Sequence, residues 1–504
     1  MIYNKKLKLP KEKSIELNIK DFSKGLNLDD AENVCDLSYS ISCYNFDFKS
    51  GALVEGLGFK DAILPISYKY GCDGRYPVKP LNTQYKNVWF FRHYAKGQRL
   101  RADRLVVRLN NGKCYYVRLF NTDAGLYYME TMEYNDEPFF TNVLYSNIEA
   151  CFLSNGERSV MWTGESAPYL VENCPAIIDM CEHKDKMFLI LKGPQNYIRY
   201  TNNKDVTEWT EELGENEGVV LLNDDRGLAS RVISCFGHLY CIRDYGITKI
   251  TTYENSDQMN ISHIYSSGSK IFGKTVCNCG DKVIMLTSSG LYKFNGSNCE
   301  KIHTKLNDLL CKVASEHTIA TYRAGVYYIA SKIDFEDGKK VGCENLDSYV
   351  NNVLIAFNII DNSYIITRGI DIYSISTIQY ANLDKTFFCY NNTYCENLGE
   401  IEYSGKFFDD STEKYWCSPL SDLGYSNKIK YVKEVSLLSK YDCKLTIFTE
   451  CAEKSFDIKG KELLTKIPVK IKGKQIGIKI ETNSQKAYIS NMKLKINLIE
   501  NKYA

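Results

Sequence analysis

The sequence predicts an all-β protein, a β-propeller followed by a small C-terminal β-sandwich, and three observations carry that expectation. Tyr and Phe are abundant, 38 and 22 in 504 residues against only 10 Pro, which suits pleated, half-buried strands better than helices. A phrase of aromatic and apolar residues, entered through a Gly, Asn or charged turn, recurs along the middle of the chain. From about residue 425 the strands become shorter and more evenly spaced.

Residues 1–20 are Lys-rich and lack periodicity, so they read as an arm that orders only against a neighbouring subunit or another part of the fold. CYNFDFKSGALVEGLGFK (43–60) follows. Tyr44, Phe46 and Phe48 alternate with Asn45 and Asp47, the period of two of a half-buried strand; Ser50-Gly51 is a turn, and Ala52-Leu53-Val54 is the returning strand. The recurrent phrases are GKCYYVRL (112–119), DKMFLIL (185–191), GHLYCI (237–242), SGLYKF (289–294), AGVYYIA (324–330), NSYIITR (362–368) and KTFFCY (385–390). Their centres at Phe188, Tyr240, Tyr292, Tyr327 and Tyr364 are 52, 52, 35 and 37 residues apart, overlapping the roughly 40–50 residues of a four-stranded blade. KTVCNCGDKVIMLTSSGLYKFNGSNCEKI (274–302) breaks at Cys279-Gly280-Asp281 and Ser288-Ser289-Gly290 and is nearly a whole blade. Residues 21–424 are therefore assigned to a propeller of about six to eight blades, with an array of β-sandwiches as the alternative. Residues 425–504 hold six or seven short strands separated by turns such as Lys459-Gly460-Lys461, which is what a small sandwich requires. Many of its outward positions are Lys, which blocks edge pairing.

The whole-chain charge of +1 gives no argument for a nucleic-acid or acidic partner. One local cluster does stand out. RHYAKGQRLRADRLVVR holds Arg92, Lys96, Arg99, Arg101, Arg104 and Arg108 against a single acid, Asp103. It reads either as a solvated strand edge that discourages pairing or as a phosphate-facing surface.

No catalytic motif is present. H-E-x-x-H, G-x-S-x-G, Walker A and G-x-G-x-x-G are all missing, and the glycines of GALVEGLG serve turns. The 19 cysteines are odd in number and scattered like core residues; Cys277-x-Cys279 lacks the second ligand pair of a zinc site and reads as core. The six histidines are isolated from one another, so no metal and no cofactor is expected. Asp224-Asp225 and Asp409-Asp410 are the loop acids a glycosidase would need, but adjacent acids in a turn usually solvate it. No apolar h-region follows the N-terminal charges and no apolar run approaches eighteen residues, so the expectation is a chain folded in a reducing cytoplasm, without a membrane segment.

In the order of its phrases the chain resembles the tailed-bacteriophage virion β-propeller proteins: packaged-DNA stabilisation or tail-hub proteins, and tail nozzles of short-tailed phages. DFSKGLNLDDAENVCDLSYSISCYNFDFKSGALVEGLGF (21–59) is similar to the family opening, in which a Cys-or-small-x-Asn and an acidic strand precede G-x-L and a glycine turn. AIIDMCEHKDKMFLILKGPQNYIRYTNNKDVTEW (176–209) and TVCNCGDKVIMLTSSGLYKFNGSNCEKI (275–302) resemble its blades, and DDSTEKYWCSPLSDLGYSNKIKYVKEVSLLSK (409–440) its passage into a terminal sandwich. The basic segment 92–108 and the acidic loop 334–348 have no counterpart there.

The resemblance implies a non-enzymatic structural component of the virion, at the portal vertex or in the tail, made and assembled in the host bacterial cytoplasm. It implies a homo-oligomeric ring, as hub or nozzle, that extends or closes the DNA channel beside a portal or adaptor ring and other tail proteins. The arm 1–20 would then be a cross-subunit strap, and Arg92, Arg99, Arg101, Arg104 and Arg108 would face genomic DNA in the channel. The alternative is a receptor- or carbohydrate-binding propeller at the tail tip, which calls for exposed aromatics such as Trp89-Phe90-Phe91.

Overall fold

Among the described residues, seven sheets of four strands or more, antiparallel except where Ser67–Tyr70 pairs with Gly125–Glu133 and Lys406–Phe407 with Gly58–Asp61, follow one another along the chain as the blades of a propeller. The computed structural model describes residues 13–500 except 32–34, 63–66, 71–83, 94–102, 119–124, 147, 165–166, 194–195, 202–205, 208, 211–212, 214–216, 254–257, 314–315, 336–348, 381–382, 392–397 and 409. Blade 1 spans 85–133, blade 2 139–171, blade 3 177–221, blade 4 229–266, blade 5 277–302, blade 6 319–368 and blade 7 372–402. Each pair of consecutive blades buries its own apolar cluster. Phe91 and Tyr116 of blade 1 meet Trp162 of blade 2, for example, and Ile378 and Phe387 of blade 7 meet Val88 and Leu105 of blade 1, so the ring is closed.

Blade 7 takes its fourth strand from elsewhere in the chain. Gly58–Asp61 pairs antiparallel with Leu398–Glu402, in the register Gly399↔Asp61 to Glu402↔Gly58. Gly58 is required there, because a Cβ would stand 2.7 Å from the Lys406 carbonyl oxygen.

The sandwich has two sheets. One runs through Phe46–Asp47, Leu53–Glu55, Tyr488–Glu500, Lys428–Ser439 and Thr465–Gly473, with Lys13–Ile19 also paired to Tyr488–Glu500. The other is Ser42–Tyr44, Lys414–Cys417, Gly477–Thr482, Cys443–Phe448 and Glu453–Ile458. Two expectations change as a result. The boundaries expected at 20 and 425 are displaced, because strands from 13–55 and 414–417 complete sheets that the C-terminal strands alone leave short. Residues 13–19 of the arm are an internal edge strand, in the register Lys13↔Leu498 to Ile19↔Met492, not a strap to a neighbour. Residues 1–12 lie outside the described residues.

CYNFDFKSGALVEGLGFK thus visits three sheets in eighteen residues: Ser42–Tyr44 in one layer of the sandwich, Phe46–Asp47 and Leu53–Glu55 in the other, and Gly58–Asp61 in blade 7. The hairpin turns at Gly51, where φ is +79°. The change of layer falls at Asn45, in the left-handed region with φ +61°, which Asn tolerates better than most residues. Every polar group of Asn45 is used. Its N–H donates to the Ile366 carbonyl at 2.8 Å, and its own carbonyl accepts from Gly56 N–H at 3.1 Å. Its Oδ1 accepts from Arg368 N–H at 3.0 Å, and its Nδ2 donates to the Glu413 carbonyl at 2.7 Å. Ile366 and Arg368 belong to the outer strand of blade 6, so this one side chain fastens sandwich to propeller. Around it, Leu26 N–H donates to Tyr364 Oη at 2.7 Å, Phe48 meets the Tyr364 ring edge-on, and the Arg368 guanidinium lies over Tyr44. The sandwich core and the core between blades 5 and 6 form one continuous apolar cluster.

Asn45→Ala leaves the buried Arg368 N–H without its acceptor and forces a side chain with no local hydrogen bond into positive φ. The expected loss is about 2–4 kcal/mol, and Asn45→Gly recovers about 1 kcal/mol of it by removing the backbone strain alone. Urea unfolding measures both, and an Ala variant with the wild-type midpoint would remove Asn45 from this role.

Candidate functional site: the propeller channel

The innermost strands of the seven blades, among them Tyr85–Phe91, Phe139–Tyr145, Ile177–His183, Ala229–Cys235 and Ile372–Tyr380, surround a cavity of about 580 Å³. An innermost strand pairs on one side only, so its other edge presents unpaired N–H and C=O groups to the axis. The sequence answers this with polar side chains that reach the next blade. Asp179 Oδ2 of blade 3 accepts from Val232 N–H of blade 4 at 2.6 Å, and Ser374 Oγ of blade 7 accepts from Val88 N–H of blade 1 at 3.1 Å. Asn142 of blade 2 accepts from Arg92 N–H and donates to the Phe90 carbonyl of blade 1. His183 Nδ1 meets Ser234 Oγ at 2.8 Å. In blades 1, 3, 4 and 7 the register slips by one residue near the start of the innermost strand, just before Asn87, Asp179, Arg231 and Ser374. These β-bulges re-aim the side chains that follow them.

A polar chain crosses one mouth of the channel. Arg108 donates Nε to the Tyr134 carbonyl at 2.9 Å, Nη2 to the Asn135 carbonyl at 2.6 Å and Nη1 to Asn87 Oδ1 at 2.7 Å. Asn87 Nδ2 donates to Glu137 Oε1 at 3.2 Å, and Glu137 Oε2 pairs with Lys274 Nζ at 2.9 Å. Glu137 stands between blades 1 and 2 and Lys274 between blades 4 and 5, so the ion pair spans the opening.

This geometry corrects the reading of the basic cluster. Arg108 is buried and its guanidinium is committed to its own chain, so it cannot face a duplex. Arg104 is also buried, with its guanidinium 6.0 Å from the Tyr116 ring centroid. Both lie on Arg104–Leu109, all six of whose residues are buried between neighbouring blades. Arg92 is exposed, and Arg99 and Arg101 lie outside the described residues. Phe91 is fully buried and Trp89 stacks on Phe140 at 5.4 Å, so this aromatic run is core and interface rather than an exposed platform.

The remaining candidates are structural. Asp224 accepts from the buried Arg243 and lies 3.2 Å from His263 Nε2; Asp410 is exposed, and Asp409 lies outside the described residues. Cys277 and Cys279 adjoin the core between blades 5 and 6, and burial pushes the Cys277 thiol up to about 12. Burial pushes His183 and His303 down to about 4, which makes them neutral structural imidazoles at pH 7. Among the described residues no three His, Cys, Asp or Glu side chains converge on a metal position, and no helix is long and apolar enough to cross a membrane.

No protein-family model and no curated protein matches the sequence. Solved structures that resemble it include the AfRom2 CNH domain (8% identity, 68% of this chain, 98% of that chain, TM-score 0.37). They also include BBS1N in complex with ARL6DN (8% identity, 68% and 96%, TM-score 0.39) and the Neurospora crassa Pan2 WD40 domain (8%, 69% and 95%, TM-score 0.39).

Two expectations follow from the site. Arg108→Gln is expected to lower stability by about 2–4 kcal/mol, since it leaves two carbonyls and Asn87 without their donors; a drop in thermal midpoint with the secondary structure retained would show this. Asp179 is fully buried, and burial pushes its carboxyl up to about 6. An acid raised in the folded state is penalised once it ionises, so the penalty is absent below about pH 4 and complete above about pH 6. Asp179→Asn keeps the acceptor for Val232 and removes the charge. The variant should be more stable than wild type by about 1–3 kcal/mol at pH 7.5, with the gain mostly lost at about pH 4.5; an equal gain at both values would refute the burial argument.

Proposed function

We propose that the chain is a non-catalytic structural subunit of a tailed-phage virion, placed at the portal vertex or in the tail, where copies associate into a ring around the DNA path. The observation that carries the reading is a segregation of charge hidden by the whole-chain value of +1. The propeller, residues 56–413, holds 37 Lys and Arg against 44 Asp and Glu, whereas the sandwich, residues 13–55 and 414–500, holds 21 against 17. The Asn45 junction and the shared core hold these unlike regions in one fixed orientation. A rigid body with an acidic and a basic region attracts its own copies through unlike faces, the heterologous contact from which rings are built. The virion setting comes from the family resemblance, and so do the portal or adaptor ring and the other tail proteins as partners. At about 580 Å³ the propeller channel holds a small molecule and not a duplex, so any DNA path lies between subunits.

Sedimentation of the purified protein tests the assembly. A discrete oligomer is expected at about 50 mM salt and should weaken about tenfold or more by about 500 mM. Lys466→Glu with Lys472→Glu should dissociate it while leaving the monomer folded. A monomer at every salt and protein concentration would overturn the assembly, and absence of the chain from density of purified particles would overturn the virion setting.

A further inference from the structure

We propose that the propeller channel binds a small oxyanion, a phosphate or carboxylate group, at Arg231. Four positions that follow the innermost-strand bulges are equivalent, and three have their polar groups engaged: Asn87 with Arg108 and Glu137, Asp179 with Val232 N–H, and Ser374 with Val88 N–H. Arg231 is the exception. Its guanidinium forms no hydrogen bond or ion pair among the described residues, and its Nε is buried without an acceptor.

A cavity of about 580 Å³ lies within the roughly 300–1,000 Å³ of small-molecule sites, and Arg231 lines it. A guanidinium presents five donors in a planar fork that matches a carboxylate or phosphate edge, and a buried donor without a partner costs about 1–3 kcal/mol, which an anion would recover. The lining favours a negative guest. Glu137 is neutralised by Lys274, and Lys192, on the same lining, makes no ion pair among the described residues; the one opposing charge is the Asp179 carboxylate, which accepts from Val232 N–H and lies within electrostatic reach of Arg231 without pairing with it. In the repeat, Asp179 of blade 3 reaches blade 4 and Ser374 of blade 7 reaches blade 1, so an anion on Arg231 of blade 4 would belong to the seam with blade 5.

Isothermal titration of the full chain with sodium phosphate and, separately, with sodium acetate tests the assignment. Saturable one-site binding is expected, weakened about tenfold or more by Arg231→Gln and less by Arg231→Lys, which keeps the charge but loses the fork. Asp179→Asn, which removes the competing carboxylate, should tighten it. Saturation by phosphate alone identifies a phosphoryl ligand, and saturation by acetate alone a carboxylate. Failure of wild type to bind either anion, or equal affinity in folded Arg231→Gln, overturns the proposal. Should Arg231→Gln fail to fold, unchanged affinity in Asp179→Asn overturns it instead.

Discussion

The structure depends on closure by a segment remote in sequence. Blade 7 has three consecutive strands of its own and stays incomplete until Gly58–Asp61 docks along Leu398–Glu402, more than three hundred residues away. Closing so long a loop costs entropy that grows only logarithmically with length, so the penalty is modest, but it must be met by contacts that form together. They do form together, because the strands just before Gly58 are built into the sandwich. Leu53–Glu55 pairs with Tyr488–Glu500, and Lys13–Ile19 lies along the same strand. Ring and sandwich thus both draw strands from residues 42–61, and the sandwich is not complete until residues near 500 are in place.

That coupling explains why two regions of opposite charge behave as one body. Domains joined by a simple linker move independently and average out their relative orientation. Here the chain crosses between propeller and sandwich twice, once at 55–58 and once near 402–414, and the outer strand of blade 6 is hydrogen-bonded to Asn45 between those crossings. The orientation is fixed, so the separation of charge is a property of the molecule's surface and can direct how copies meet.

Much of the fold was legible where turns carry glycine and strands pair with their neighbours. Residues 274–302 read as nearly a blade and form all four strands of blade 5, with breaks at Gly280 and before Gly290. The blade count was less legible, because the recurrent phrases are strands of different rank. DKMFLIL and GHLYCI are second strands of blades 3 and 4, SGLYKF is the third strand of blade 5, and NSYIITR is the fourth of blade 6, so only the first interval of 52 residues measures a true repeat. The closing strand and the sandwich strands before residue 56 were hidden, since a strand's own residues do not name a distant partner. At the site, local charge density suggests exposure where the fold gives burial. RLVVRL contains the correction, because arginines interleaved with Leu and Val in a central strand are buried ones. Asp179 in AIIDMC and Arg231 in ASRVISC carry the converse signal: each is a single charge in an apolar strand, a sign of burial rather than of a cluster.

The channel follows from accounting for the backbone. Seven sheets stacked about an axis satisfy their hydrogen bonds within each blade except along the innermost edges, and those edges converge where a hydrophobic seal is impossible. Apolar clusters hold the blades together at their faces, while Asp179, Ser374 and Asn142 hold them at the axis by taking or giving backbone hydrogen bonds across the gap. The bulges that aim Asp179 and Ser374 recur in four blades, so the arrangement belongs to the repeat and not to any one sequence position. A repeat fixes geometry while leaving the side chain free. Where the side chain can accept a hydrogen bond, as Asp179 and Ser374 do, it closes the seam internally; where it is a guanidinium, as at Arg231, it offers only donors and cannot answer the N–H of the next blade.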